Sequence, residues 1–179
     1  MSIESNLTWV REHLQPEDVV LKDVLEVGSR CWPFPPDITR DEPVITDYLR
    51  SLCPASLIGT DILAGKNVTQ VLAAENLVQH FGMWSFDTVV CLEVLEHVER
   101  WQLAVENMLA VLKPLGAIYL TTRMPGYPRH DYPHDFWRFD RATMSMMFGA
   151  CDLLVEEDVC ERGIYVRARK KSVAAVGVE

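Results

Sequence analysis

Short apolar runs alternate with longer amphipathic ones along the chain, and this rhythm predicts its elements. Residues 4–14 read as a helix with Leu7, Val10, Arg11 and Leu14 on one side, ended by Pro16. Val19 to Val27 follows as a largely apolar strand, of the kind buried on both faces of a parallel sheet. Cys31-Trp32-Pro33-Phe34-Pro35-Pro36 is barred from regular helix, because its prolines remove donors and fix the backbone; it reads as an aromatic-rich loop near a cleft. Asp41-Glu42-Pro43 suits a helix start, and Val44 to Leu52 carries that helix. Strands are expected at 56–60 and 68–72, a short helix at 74–80, and a strong strand from Phe86 to Leu92. Residues 97–112 have helical periodicity, with Val98, Trp101, Val105, Leu109 and Leu112 on one side. Lys113-Pro114-Leu115-Gly116 stops this helix and turns the chain into a strand from Ala117 to Thr121. The segment 123–140 is rich in Pro, His, Asp and aromatics; 142–148 reads as a helix, and 152–157 with 162–169 as a closing antiparallel pair.

Strands alternating with helices predict an α/β three-layer sandwich: a doubly wound, mostly parallel sheet with an antiparallel C-terminal strand. No internal repeat interrupts it. A single domain over residues 1–179 is expected, with helix 4–14 and loop 123–140 covering a pocket.

Composition narrows the partners. Apolar residues make up 49% of the 179, enough for a real core. A net charge of -9 works against a nucleic-acid-binding surface, which needs concentrated Lys and Arg. The basic cluster Arg167-Ala168-Arg169-Lys170-Lys171 reads as a solvated chain end. Cysteines at 31, 53, 91, 151 and 160 form no CxxC, and no Cys/His grouping has structural-zinc spacing, so no metal is expected. Their odd number and the lack of a signal sequence point to a reducing cytoplasm. No apolar run reaches the roughly 18 residues of a membrane span.

The candidate chemistry lies at the ends of two strands. Val24-Leu25-Glu26-Val27-Gly28-Ser29 ends in an acid and a glycine turn, and Ser56-Leu57-Ile58-Gly59-Thr60 ends in Asp61. Open parallel sheets bind ligands beyond the carboxyl ends of their strands. Gly28 lets the backbone bend without a Cβ. Asp61 is suited to accept two charge-assisted hydrogen bonds from adjacent ribose hydroxyls, and its charge disfavours a ribose phosphate. A pyrophosphate-binding G-x-G-x-x-G is absent: the chain has Gly28-Ser29-Arg30-Cys31-Trp32-Pro33, which disfavours a nucleotide-dependent oxidoreductase.

Five segments in order carry a family resemblance. They are Val24 to Arg30, Gly59-Thr60-Asp61, Ala74-Glu75-Asn76-Leu77, Phe86 to Val98, and Leu112-Lys113-Pro114-Leu115-Gly116-Ala117. Together they resemble the class I S-adenosylmethionine-dependent methyltransferases, particularly the small type 11-like members, over roughly residues 20–140. The resemblance implies S-adenosylmethionine as cofactor and S-adenosylhomocysteine as product. It places Glu26, Gly28, Ser29 and Arg30 beside the methionine part, Asp61 on the ribose, and Ile62 against the adenine. It puts Ala74, Glu75 and Asn76 at the base edge, and Cys91, Leu92 and Glu93 beneath the cofactor. The chain departs from the family in two places: Arg30 and the Cys31-Trp32-Pro33 run replace further loop glycines, and Ala73 stands where many relatives have Asp.

Similar methyltransferases carry a Pro-His-Asp-Tyr/Phe-Trp-Arg-Phe run where the chain covers the active site, and Pro133 to Phe139 matches it. Tyr132, Phe136 and Trp137 are candidate pocket walls, and Arg138 is placed to pair with Asp135 or an acidic substrate group. His134, Asp135 and His97 are the candidate catalytic residues, with His134 as general base; a hydrogen-bonded loop or cleft-wall histidine is the competing reading. Glu93 is also placed to cap a helix starting near residue 96. A metal held by His130, His134 and one Asp is permitted by spacing without being demanded. The expected activity is methyl transfer to an oxygen or nitrogen of a small-molecule, sugar or lipid-linked acceptor. The rival is a non-catalytic relative that binds a nucleoside or a protein partner. Whether a second copy or a partner protein completes the pocket is left open.

Overall fold

The computed structural model describes residues 3–30, 45–130 and 134–172. Helix α1 spans Ile3–His13 and strand β1 Asp23–Val27. After the break come α2 (Ile45–Ser51), β2 (Ser56–Asp61), β3 (Gln70–Val71), α3 (Leu77–Phe81), β4 (Phe86–Leu92), α4 (Trp101–Val111) and β5 (Leu112–Arg123). Helix α5 (Arg141–Met147) and strands β6 (Cys151–Asp158) and β7 (Gly163–Lys170) close the described fold. One seven-stranded sheet runs β3-β2-β1-β4-β5-β7-β6, with β7 antiparallel to both of its neighbours.

Side-chain parity explains the layers. Consecutive strand residues face opposite sides, so Leu25, Val89, Ile118, Leu120 and Val166 join one apolar cluster, while Val24, Val90, Tyr119 and Tyr165 join the other. The first cluster takes in residues of α3, α4 and α5, and the second residues of α1 and α2. On α1, Trp9 rather than Arg11 is buried beside Leu7, Val10 and Leu14. Its indole donates to Oε2 of Glu156 at 2.6 Å, pinning α1 to β6.

Several boundaries move for local reasons. The apolar run from Val19 is not all strand: Pro16–Asp18 forms a 3-10 turn and Leu21 takes φ 57°, so pairing starts at Asp23. The expected helix 97–112 is divided into a 3-10 turn at Leu95–His97 and α4 proper. Lys113 to Gly116 is not a separate turn but the irregular start of β5, whose register shifts opposite Phe86 and Thr88. There Lys113 bonds Asp23 and Asp87 at 2.8 Å each, tying the amino ends of β1, β4 and β5. The basic cluster is not a solvated end either. Arg167, Arg169 and Lys170 belong to β7; Arg169 grips both oxygens of Asp18, and Lys170 donates to Leu109 and Leu112 carbonyls.

Candidate functional site

Strand order reverses between β1 and β4, with β2 on the far side of β1. At such a reversal the following connections leave on opposite faces, so a crevice opens beyond the carboxyl ends. A cavity of about 430 Å³ lies there, lined from β1 by Val27, Gly28 and Arg30, from β2 by Thr60 and Asp61, and after β4 by Glu93 and Val94. Its volume falls within the range of small-molecule sites. A broader hollow of about 810 Å³ lies at the other end of the strand order, between α1 and β6–β7, away from the reversal. The smaller cavity has the convergent chemistry.

Gly28 makes the bend possible. Its φ of 75° strains any other residue, and a Cβ there would lie 2.2 Å from Cγ2 of Val94. Its N–H and that of Ser29 both donate to the Thr60 carbonyl, at 2.8 and 3.0 Å, so the turn is tied to the end of β2. Asp61 sits on that end, and its Oδ1 accepts from the N–H of Leu63 at 2.9 Å. Ile62, Leu63, Leu72, Ala73 and Ala74 supply an apolar wall beside it. Glu75 and Glu99 add acids to Asp61, against Arg30 as the lining guanidinium, so the cavity suits a ligand with positive charge.

The segment after residue 134 covers the crevice. N–H groups of Phe136 and Trp137 donate to the Glu96 carbonyl, and that of Phe139 to Arg123. His134 and Phe136 line the cavity, with ring centroids 5.5 Å apart. The carbonyl of His134 accepts from Nδ1 of His97 at 2.5 Å, and His97 also lines the cavity.

Of the residues singled out from sequence, Gly28, Arg30, Asp61, Ile62, Ala74, Glu75, Glu93, His97 and His134 meet at this cavity. Glu26, Ser29, Asn76, Cys91, Leu92 and Asp135 do not line it. Glu26 points toward α2, where Thr46 donates to it at 2.9 Å. Burial pushes its carboxyl up to about 7, with the Thr46 bond opposing. Ser29 turns back to the Asn67 and Thr60 carbonyls. Asn76 is exposed on a 3-10 turn, Cys91 is wholly buried in the α4-side core, and Leu92 packs toward α1 and α2. Asp135 is a brace rather than a reagent. It makes a two-point pair with Arg138, accepts from the N–H of His130, and is held well below the usual carboxylate range chiefly by Arg138. Arg138 in turn donates to the Tyr127 and Pro128 carbonyls. Trp137 leans out and donates to Glu99, and Tyr132 lies outside the described residues.

Glu93 adopts φ 58° and does not cap a helix. Its carboxylate accepts from Thr121 at 3.0 Å and pairs with Arg123. Burial first, then the nearby Glu96, raises its pKa, while Arg123 pulls it down. Val27, Thr60, Leu63, Leu72, Val94, Val98 and Glu99 also line the cavity and were not singled out. For two of them a signal existed: Val27 and Thr60 immediately precede Gly28 and Asp61, and the parallel register sets them side by side.

Comparison with known proteins bears on the fold. A methyltransferase domain model matches residues 45–120, from α2 to the middle of β5. No curated protein matches the chain significantly. Among solved structures, a SAM-dependent methyltransferase from Archaeoglobus fulgidus superposes with a TM-score of 0.72 at 15% identity, covering 94% of this chain and 95% of that one. The N-methyltransferase NodS from Bradyrhizobium japonicum gives 0.65 at 15% identity, covering 94% and 96%. A Burkholderia thailandensis 1,6-didemethyltoxoflavin-N1-methyltransferase, with its substrate and S-adenosylhomocysteine bound, gives 0.66 at 13% identity, covering 95% and 78%. At such identities these superpositions establish the fold, and the domain match adds the sequence signature. On the two together, this chain has the fold of the class I S-adenosylmethionine-dependent methyltransferases and resembles a methyltransferase domain in sequence over residues 45–120.

Proposed function

We propose that the protein transfers a methyl group from S-adenosylmethionine to a nucleophilic oxygen or nitrogen of a small molecule. The observation that carries this reading is the single cavity uniting Asp61, the Gly28 bend and the His134 cover. The donor set fits the cofactor. Asp61 is a carboxylate for the ribose diol, the apolar wall from Ile62 to Ala74 suits a flat base, and the surplus of acids suits a sulfonium cation. Ala73 leaves no side-chain acid at that position for the adenine edge; Glu75, two residues on, supplies one in the cavity. When bound, S-adenosylmethionine supplies a methyl group on a positively charged sulfur and leaves as S-adenosylhomocysteine.

The chain's own part is orientation and proton handling. Gly28 and Val94 fix the floor; His134 and Phe136 exclude water from above and bring an acceptor into line. His134 receives the acceptor's proton as the new bond to carbon forms. His97 is a positioning residue, because its Nδ1–H holds the His134 carbonyl. Sugars, lipid-linked sugars and small heterocycles all match an acceptor of this size. Asp61, Glu75 and Glu99 in the cavity favour a neutral or cationic one.

Calorimetric titration with S-adenosylhomocysteine tests the reading. The wild-type chain is expected to bind one equivalent, and Asp61→Ala to bind more weakly by about 1.5–3 kcal/mol, the worth of hydrogen bonds to a charged group. Equal affinity in the two proteins rejects the ribose role of Asp61. Binding to neither rejects the cofactor assignment.

A further inference from the structure

Beside the covered cavity, the 3-10 turn at Leu95–His97 and the segment through His130 bring three ligand-type side chains together. Nε2 of His97 and Nε2 of His130 each stand 3.9 Å from Oε1 of Glu96. The donor atoms of all three lie within 4.8 Å of one another.

Two of the three are held by a hydrogen bond through another atom. Nδ1 of His97 lies 2.5 Å from the His134 carbonyl. A carbonyl can only accept, so this nitrogen carries a proton, and Nε2 is the ring atom left to meet a ligand. Nδ1 of His130 lies 3.1 Å from Oδ2 of Asp135. This is an ion-pair distance and not a hydrogen bond, so it leaves Nε2 of His130 as the ring nitrogen turned toward Glu96 without fixing the tautomer. Glu96 is 0% exposed. Its Oε2 accepts from Thr122 at 2.7 Å, while its Oε1 is buried with no hydrogen-bond partner among the described residues. Arg123 does not supply one: its Nε pairs with Glu93 and stands 3.8 Å from Oε1.

Three ligand-type atoms therefore face one gap that is too wide for hydrogen bonds between them, with the Arg123 guanidinium 3.8 Å from Oε1. A cation seated in this gap would be met by all three atoms at once and would give the unpartnered Oε1 of Glu96 a ligand. We propose that Glu96, His97 and His130 bind a divalent first-row transition ion, zinc being the best match, with its open coordination positions toward the cavity that His97 lines. Two imidazoles and one carboxylate form a donor set suited to zinc. Imidazoles whose second nitrogen rests on a carbonyl or a carboxylate are the usual supporting shell of such sites. Metal–ligand bonds of about 2.0–2.1 Å put tetrahedral neighbours about 3.3 Å apart, so each Glu96–histidine pair closes in by roughly 0.6 Å and no pair by more than about 1.5 Å. His134, grouped with His130 by sequence spacing, contributes its carbonyl to this supporting shell instead of its ring.

The binding site stands independently of the cavity's reaction. Its use in catalysis rests on the methyl-transfer reading: a hydroxyl acceptor bound to the ion gives up its proton more easily.

The test uses the full chain after chelator treatment and dialysis. It is titrated with Zn²⁺ by calorimetry and with Co²⁺ by visible absorption. One equivalent of each ion is expected, with the absorption bands of low-coordinate Co²⁺. Glu96→Gln and His130→Ala are expected to weaken binding roughly tenfold or more, and His80→Ala, on α3, to leave it unchanged. Circular dichroism checks that each variant is folded. Should Glu96→Gln fail to fold, His130→Ala decides, because its ring is partly exposed. Absence of stoichiometric binding overturns the site, as does binding that survives His130→Ala or is lost in His80→Ala. Titrating S-adenosylhomocysteine into the metal-free chain separates the two readings: zinc binding without nucleoside binding leaves this site standing and removes the methyl-transfer reading.

Discussion

Glu26 is an acid in an apolar place. Buried behind β1 with Thr46 as its donor, it holds its proton up to about pH 7, while in the unfolded chain it titrates near the ordinary 4.5. Between those values the folded state carries a proton that the unfolded state has released. Stability contributed by this group is therefore present at low pH and is lost as pH rises from about 4.5 to 7. Glu26→Gln removes the ionisation and keeps an acceptor for Thr46. In urea unfolding the variant is expected to gain about 1–3 kcal/mol relative to wild type at pH 8, with most of that gain gone at pH 5. An offset equal at the two pH values would show that the burial of this carboxyl has been misread. Asp61 differs from Glu26 in kind. It stands one residue beyond the Thr60 that faces Val27, at a strand end that opens to the cavity. Its substitution is expected to act on ligand affinity rather than on folding.

At the scale of an element, the cover over the cavity depends on charge as much as on packing. Residues 134–139 form no helix or strand, yet Asp135 with Arg138, the His130 N–H and the carbonyls of Tyr127 and Pro128 make one closed network. The Asp135 side chain is fully buried, so removing its charge leaves the Arg138 guanidinium without its counterion. Asp135→Asn is expected to cost about 3 kcal/mol in thermal or urea unfolding and to loosen the cover. Unchanged stability would return Asp135 to the list of reagents rather than braces. Gly28 works at the same scale in the opposite sense: a residue with no side chain sets where β1 stops, because Val94 already occupies the space a Cβ would take.

For the whole molecule, a mostly parallel sheet buried on both faces dictates which reactive groups meet solvent. Cys91 lies near the carboxyl end of β4 and Cys151 at the start of β6, both buried, and burial raises the pKa of each thiol. Cys53 and Cys160 are exposed. Peptide mapping after brief iodoacetamide treatment of the native chain is expected to find label on Cys53 and Cys160. Cys91 and Cys151 are expected to react only after unfolding. Fast labelling of Cys91 would contradict a sheet covered on both faces. No helix of the described residues is long and apolar enough to cross a membrane.

The sequence alone was enough for the elements and the reversal site. Period-2 apolar runs mark strands and 3.6-period runs mark helices wherever one face must be buried, and glycine after a strand marks where the backbone has to bend. This is why Gly28 and Asp61 could be named from their positions along the chain, whereas His134 was named through the family resemblance of the 133–139 run. Which way a side chain faces at a strand end, and which distant groups it meets, is set by register and by packing of segments far apart in sequence. Glu26 and Cys91 carry polar, reactive chemistry at the right strands, yet parity turns the first toward α2 and the second into the α4-side core. Asp135 looks reactive in one dimension and is consumed by a charge three residues away once the loop folds. The gathering of Glu96, His97 and His130 has no local signature, because more than thirty residues separate His130 from the other two (Glu96–His97 to His130). Only the three-dimensional path of β5, running from the end of α4 back to the carboxyl edge of the sheet, brings them to one place.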